Sequence, residues 1–151
     1  MRVALGSDEA TELTTALERD LRERGHEVVL FGILGPGKDD NWANAGRTVG
    51  EAVASGQCDM GVVCCWTGTG VSIAANKVPG VRAALCGDAE TAAGARTWND
   101  ANVLALGLRS TAIPMAKAML DAWFDACPTS DPKYAAMIAQ IQAADSAVSK
   151  T

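Results

Sequence analysis

The chain is predicted to fold as α/β, with a five-stranded, doubly wound parallel sheet and helices on both of its faces. Three observations predict this. Strand-like and helix-like patterns alternate along the whole sequence, as successive βαβ units require. The central strand pattern, Met60-Gly61-Val62-Val63-Cys64, is apolar throughout, as a strand buried on both faces should be. Polar or reactive residues follow the strands, at the edge where such sheets bind ligands.

Each element has its own warrant. Residues 2–6 form a short apolar strand that ends at Gly6-Ser7-Asp8. In residues 11–24, Leu13, Ala16, Leu17 and Leu21 recur at helical spacing. Gly25 stops that helix, and His26 to Phe31 form the second strand. Residues 32–42, with Gly32, Gly35, Pro36 and Gly37, read as a loop. A helix over about 43–55 is closed by Gly56, and the third strand follows. A glycine turn leads into a short helix over 70–77. Val81 to Leu85 form the fourth strand, 88–96 a helix, Asn102 to Leu106 the fifth strand, and 111–124 a helix. Beyond Pro128 and Pro132 a last helix is expected over 133–148. This divides the chain into a domain over 1–127 and a C-terminal helical arm over 128–151.

Composition limits the function. The 151 residues are 48% hydrophobic and 21% charged, with a formal charge of −5, the profile of one soluble globular domain. An acidic chain without a basic run suits neither nucleic acid nor an anionic membrane surface. No apolar stretch approaches the roughly 20 residues of a membrane span, and the N-terminus turns acidic too early for a signal peptide. The five cysteines include no CxxC, and the one histidine, His26, stands apart from them. Neither a zinc site nor a disulfide framework is expected, and the thiols are read as reduced, in a cytoplasmic protein without cofactor.

The chemistry concentrates in Cys64-Cys65-Trp66-Thr67-Gly68-Thr69-Gly70. This is neither a dinucleotide fingerprint nor a phosphate loop. Two readings stand. In the first, the glycines simply serve a tight strand-to-helix turn. Alternatively, successive N–H groups at a helix start form an anion cradle. A thiol beside such donors is biased toward its thiolate, and a base beside oxyanion donors is what proton abstraction next to a carbonyl requires.

Several stretches carry a resemblance. Gly6-Ser7-Asp8, Glu51 to Gly56, Ser72 to Leu85 and Asn99 to Leu104 resemble the ribose-5-phosphate isomerase B family, which also holds the galactose-6-phosphate isomerase subunits. The resemblance covers roughly residues 2–125 and implies a Rossmann-like homodimer or homotetramer whose active site lies at the subunit interface. It implies metal-free interconversion of aldose and ketose phosphates through an enediolate. By position it implies that Cys65 is the base, that Thr67, Gly68 and Gly70 hold the enediolate oxygen, that Asp8 and Asn99 bind sugar hydroxyls, and that Arg109 belongs to a phosphate site. The C-terminal helix is expected to pack on a partner subunit.

The departures are as informative. The resemblance leads one to expect histidine at positions 9 and 98 and glycine at 66, where this chain has Glu9, Trp98 and Trp66. The family's histidine at position 98 is associated with opening the sugar ring. A Tyr-Pro-Asp-Tyr stretch is replaced by Asn41 to Ala45, including Trp42, and the phosphate-gripping arginines of the C-terminal arm leave at best Lys133. A carboxylate at position 9 repels a phosphate. Trp42, Trp66 and Trp98 are expected at the pocket rim, as substrate contacts or as packing, and Trp123 in the core. The expected activity is isomerisation or epimerisation of a small polyhydroxy carbonyl compound other than ribose 5-phosphate. Two rivals remain at this point: another enolate chemistry such as dehydration, and a non-catalytic partner subunit.

Overall fold

Side-chain alternation along the strands sets the architecture. The computed structural model describes residues 1–148. They run β1 (Arg2–Ser7), α1 (Glu12–Glu23), β2 (Glu27–Gly32), α2 (Trp42–Ala54), β3 (Met60–Cys65), α3 (Thr69–Asn76), β4 (Ala83–Leu85), α4 (Ala89–Asn99), β5 (Val103–Gly107), α5 (Ile113–Asp125) and α6 (Pro132–Val148). The strands form one parallel sheet in the order β2-β1-β3-β5-β4. The chain passes from β1 outward to β2 and then crosses to β3 on the other side. The ends of β1 and β3 therefore flank the switch point where such sheets open a crevice.

Successive residues feed opposite faces. Val62 and Cys64 join Val3, Leu5, Leu104 and Leu106 in the core roofed by α1, α4 and α5. Val63 and Cys65 join Ala4, Val49, Val71 and Ala105 under α2 and α3. Trp123 is fully buried, as expected, with its indole N–H directed at Met60 Sδ at 3.3 Å and the Arg96 guanidinium 5.6 Å from its ring. Among the described residues no helix is long and apolar enough to cross a membrane.

Most boundaries shift by one or two residues from the sequence reading, and two of the differences have a visible cause. The fourth strand starts at Ala83 rather than Val81, because side chains take the backbone groups of this edge. Arg82 N donates to Asn102 Oδ1, and Ala83 exchanges hydrogen bonds with the Asn76 amide. The fourth helix runs beyond 96 to Asn99, where Asp100 ends it in the left-handed region at φ 45°. The Asp100 carboxylate bonds Arg96 at 3.0 Å and Arg82 at 3.2 Å, which holds that conformation. His26 is half-buried, its ring packed on Phe124 at 4.5 Å.

Helix α6 is mostly exposed, including Met137 at 47% and Ile141 at 57%. Thr129 N donates to Thr97 O, and Gly80 N donates to Asp145 Oδ2, at 2.8 Å each.

Candidate active site

The site starts from the end of β3. Cys65 is the last residue of that strand and only 5% exposed. Its carbonyl accepts from Gly68 N at 3.2 Å and from Leu108 N at 2.9 Å, while Trp66 O accepts from Arg109 N at 3.0 Å. The turn is thus pinned to the exit of β5, and the backbone of Arg109 is fixed beside Trp66. Gly68 turns the chain into α3 with φ 76°. A Cβ there would also stand 2.8 Å from Leu106 C and 2.9 Å from Gly107 N, so glycine is required by conformation and by space.

Gly68 is the N-cap of α3, and no side chain caps the helix. The first N–H groups of a helix have no partner within it, so Thr69 and Gly70 present donors at this end. Thr67 and Thr69 join their hydroxyls at 2.7 Å across the turn. Trp42 opens α2, whose N-terminus is capped by Asn41 Oδ1. Its indole lies on Gly70, 2.8 Å from where a Cβ would be.

β1 brings the acids. Ser7 is level with Cys64 in the β1–β3 register, so the chain places Asp8 next to Cys65 across the switch point. Ser7 Oγ donates to Glu9 O at 2.7 Å and accepts from Glu9 N at 3.2 Å, which fixes the turn. Asp8 Oδ1 is buried without a hydrogen-bond partner among the described residues. Burial holds the Asp8 carboxyl above the usual carboxylate range; its own backbone N–H opposes this, and the Glu9 and Asp40 charges reinforce it. Asp40 was not singled out from the sequence. The signal was present: parallel neighbours β1 and β2 end side by side, so the loop after β2 must return past Asp8.

The structure therefore brings Asp8, Glu9, Trp42, Cys65, Trp66, Thr67, Gly68, Gly70 and Arg109 to one edge of the sheet. Trp66, at 59% exposed, and Trp42, at 49%, stand open at the rim. Trp98, Asn99 and Lys133 are elsewhere in the chain. Helix α4 runs back from the β4 exit to the β5 entrance, and Trp98 and Asn99 occupy its last turn. Trp98 packs over Gly94. With Arg82, Tyr134 and Met137 these two residues line a groove of about 630 Å³ beneath α6. Lys133 sits in the first turn of α6, its Nζ 5.7 Å from the Tyr134 ring.

The other thiols separate from Cys65. Burial pushes Cys64 up to about 12, with the Cys65 and Asp8 charges adding to it. Cys86, which follows the fourth strand, lies in the core under α4 and α5 and is pushed up to about 11, chiefly by burial. Cys58 is buried, and Cys127 is exposed. Among the described residues no cluster of His, Cys, Asp and Glu could hold a metal ion.

Known proteins share the sequence pattern and the fold. The family model for ribose/galactose isomerases matches residues 3–141. Ribose-5-phosphate isomerase B of Escherichia coli is 42% identical over 106 residues, 70% of each chain. D-erythrulose-4-phosphate isomerase of Pectobacterium atrosepticum is 35% identical over 127 residues, 83% of this chain and 84% of that protein. The solved structure of Clostridium thermocellum ribose-5-phosphate isomerase B superposes with a TM-score of 0.90 at 38% identity, over 98% of this chain and 99% of that one. With its parallel sheet, its Cys65 turn and these relatives, the chain belongs to the ribose/galactose isomerase family of sugar-phosphate aldose–ketose isomerases.

Proposed function

We propose that this protein isomerises a small polyhydroxy carbonyl compound other than ribose 5-phosphate by enolate-type proton transfer. Cys65 is the base, and Thr67 and Gly70 offer the cradle for the enolate oxygen on the turn made by Gly68, whose own N–H is engaged by Cys65 O. The observation that carries this is the nearly buried thiol at the end of β3, directly before the uncapped start of α3. Donors fixed before the reaction stabilise charge that develops in the transition state without reorganisation. Arg109, exposed on the same edge, contacts the far end of the substrate.

The acids argue for the altered substrate. The charges of Glu9 and Asp40 both act on Asp8 at the mouth, and like charge there opposes a dianion. The indoles of Trp42 and Trp66 offer flat apolar surface for a sugar face, but an indole N–H only donates and cannot open a cyclic sugar. One relative is named for D-erythrulose 4-phosphate. A four-carbon ketose has no hydroxyl placed to close a five-membered ring on its C2 carbonyl, and in its aldose isomer O4, the one oxygen that could close such a ring, is esterified, so a substrate of this kind needs no ring-opening group.

A second copy of the chain completes the site in this reading. Trp98, Asn99 and Lys133 of one copy approach Cys65 of the other, and exposed Met137 and Ile141 on α6 supply apolar surface for the contact. The arm beyond 127 is then the assembling element, with residues 149–151 outside the described part. The protein works in the cytoplasm as a homodimer or homotetramer, with no nucleic acid or membrane partner.

The test is deuterium incorporation from D2O into D-ribose 5-phosphate, D-erythrulose 4-phosphate and D-erythrulose. Exchange that requires Cys65 and is fastest with a compound other than ribose 5-phosphate is expected. No exchange with any of the three removes the isomerase reading.

A further inference from the structure

We propose that Asp8 is a second proton carrier of the site: it moves a proton between the two substrate oxygens while Cys65 moves one between the two carbons. This rests on the isomerase reading above.

The placement is set by the sheet. Ser7 and Cys64 are paired in register, so the next residue of each chain, Asp8 and Cys65, emerge together at the switch point. One residue can then face the carbon of a bound carbonyl compound while its neighbour faces the oxygens. Asp8 is also left unsatisfied by its own protein. Its Oδ1 is buried without a partner among the described residues, and buried polar atoms in folded proteins are nearly always paired. Ser7, the nearest hydroxyl along the chain, is spent on the Glu9 backbone. Among the described residues Asp8 forms no ion pair, and the charges acting on it, Glu9 and Asp40, are both negative. A carboxyl meant only to accept from sugar hydroxyls gains nothing from burial beside two acids. A carboxyl that must hold and release a proton gains from both.

The steps balance. The Cys65 thiolate takes the proton from the carbon next to the carbonyl. The C–H pair becomes the C=C bond, and the carbonyl π pair moves onto oxygen, which receives the proton of the Asp8 carboxyl. The Asp8 carboxylate then takes the proton of the neighbouring hydroxyl. That oxygen forms the new carbonyl, and the C=C pair takes the proton back from Cys65 at the other carbon. Thiolate and carboxylic acid are both restored, and no oxidant or further reactant is needed.

Asp8→Asn separates this role from simple binding. The amide keeps the shape and an acceptor but carries no exchangeable acid proton. The probe is whichever of D-ribose 5-phosphate, D-erythrulose 4-phosphate and D-erythrulose the unaltered protein exchanges fastest in D2O. Without the oxygen-to-oxygen transfer the enolate persists, the Cys65 proton exchanges with solvent, and deuterium returns to the original carbon. Product formation should fall by about a hundredfold, and deuterated starting compound should exceed product by at least tenfold relative to the unaltered protein. Asp8→Glu should restore part of the product. If exchange and product formation fall together in Asp8→Asn with their ratio unchanged, Asp8 only holds hydroxyls and the proposal is overturned; unchanged kinetics overturn it equally. No exchange by the unaltered protein with any probe overturns the isomerase reading and this one with it.

Discussion

The indole of Trp42 lies against the backbone of Gly70. A Cβ built on Gly70 would stand 2.8 Å from Cε3 and 3.0 Å from Cδ2 of that ring. The first residue of α2 and the second of α3 thus meet at the mouth of the site. The ring can rest there only because residue 70 has no side chain.

Gly70→Ala should therefore push Trp42 off the turn. The rim side chain can swing into solvent, so the fold should survive, with a loss of about 1–2 kcal/mol for local overpacking. KM should rise. On a Trp42→Ala background the same change should cost almost nothing, and a double-mutant cycle in urea measures that coupling. Equal costs in both backgrounds would show that the two residues do not interact.

Gly68→Ala should be worse. At φ 76° its Cβ meets backbone atoms of Leu106 and Gly107, which cannot swing away. A left-handed alanine costs about 1–2 kcal/mol before any clash, so thermal stability and activity should fall together. A stable, active Gly68→Ala protein would contradict the geometry of the turn.

The thiols should respond in a fixed order. Exposed Cys127 should label first with iodoacetamide, and Cys58, Cys64 and Cys86 should stay silent in the folded protein. Cys65, 5% exposed, should label slowly and be protected by a turned-over sugar. Peptide mapping reads this directly. Cys65→Ala should lose at least about a hundredfold in proton exchange with its circular dichroism unchanged.

Stability should fall as the pH is lowered past His26. Burial, the N-terminal ammonium and Arg24 all hold this imidazole below its ordinary value of 6.5. The unfolded chain therefore binds the proton first. The stability from the neutral ring is complete above about 6.5 and is lost as pH falls through the folded value. The urea midpoint should drop across that window and should drop less in His26→Phe. Parallel curves for the two proteins would exclude His26 as the cause.

Asp8 carries the opposite sign. Its folded carboxyl is held above 3.8, so ionising it costs more in the folded protein than in the unfolded chain. That cost is absent below 3.8 and grows as pH rises through the folded value. Asp8→Asn should raise the melting temperature at pH 7 while impairing turnover. A lower melting temperature for Asp8→Asn at pH 7 would contradict this.

The sequence alone determined the layered fold and the half-site built on strand ends. Those follow from local rules: alternation of apolar patterns places the strands, the period of two sends Cys64 and Cys65 to opposite faces, and parallel pairing puts the ends of β1 and β3 together. Residue-by-residue likeness marked Cys65, Asp8 and the glycine turn. What only the tertiary structure decided depends on contacts between distant segments. Cys86 faced the core because its backbone N–H is taken by Ala105 O and its side chain packs under α4 and α5. Trp42 reached Gly70 because α2 crosses the start of α3. Helix α4 runs three residues beyond the expected stop at 96, to Asn99, where Asp100 is clamped by Arg82 and Arg96. The Cys86–Ala105, Trp42–Gly70 and Arg82–Asp100 contacts span 18 to 28 positions, and no local pattern encodes those distances.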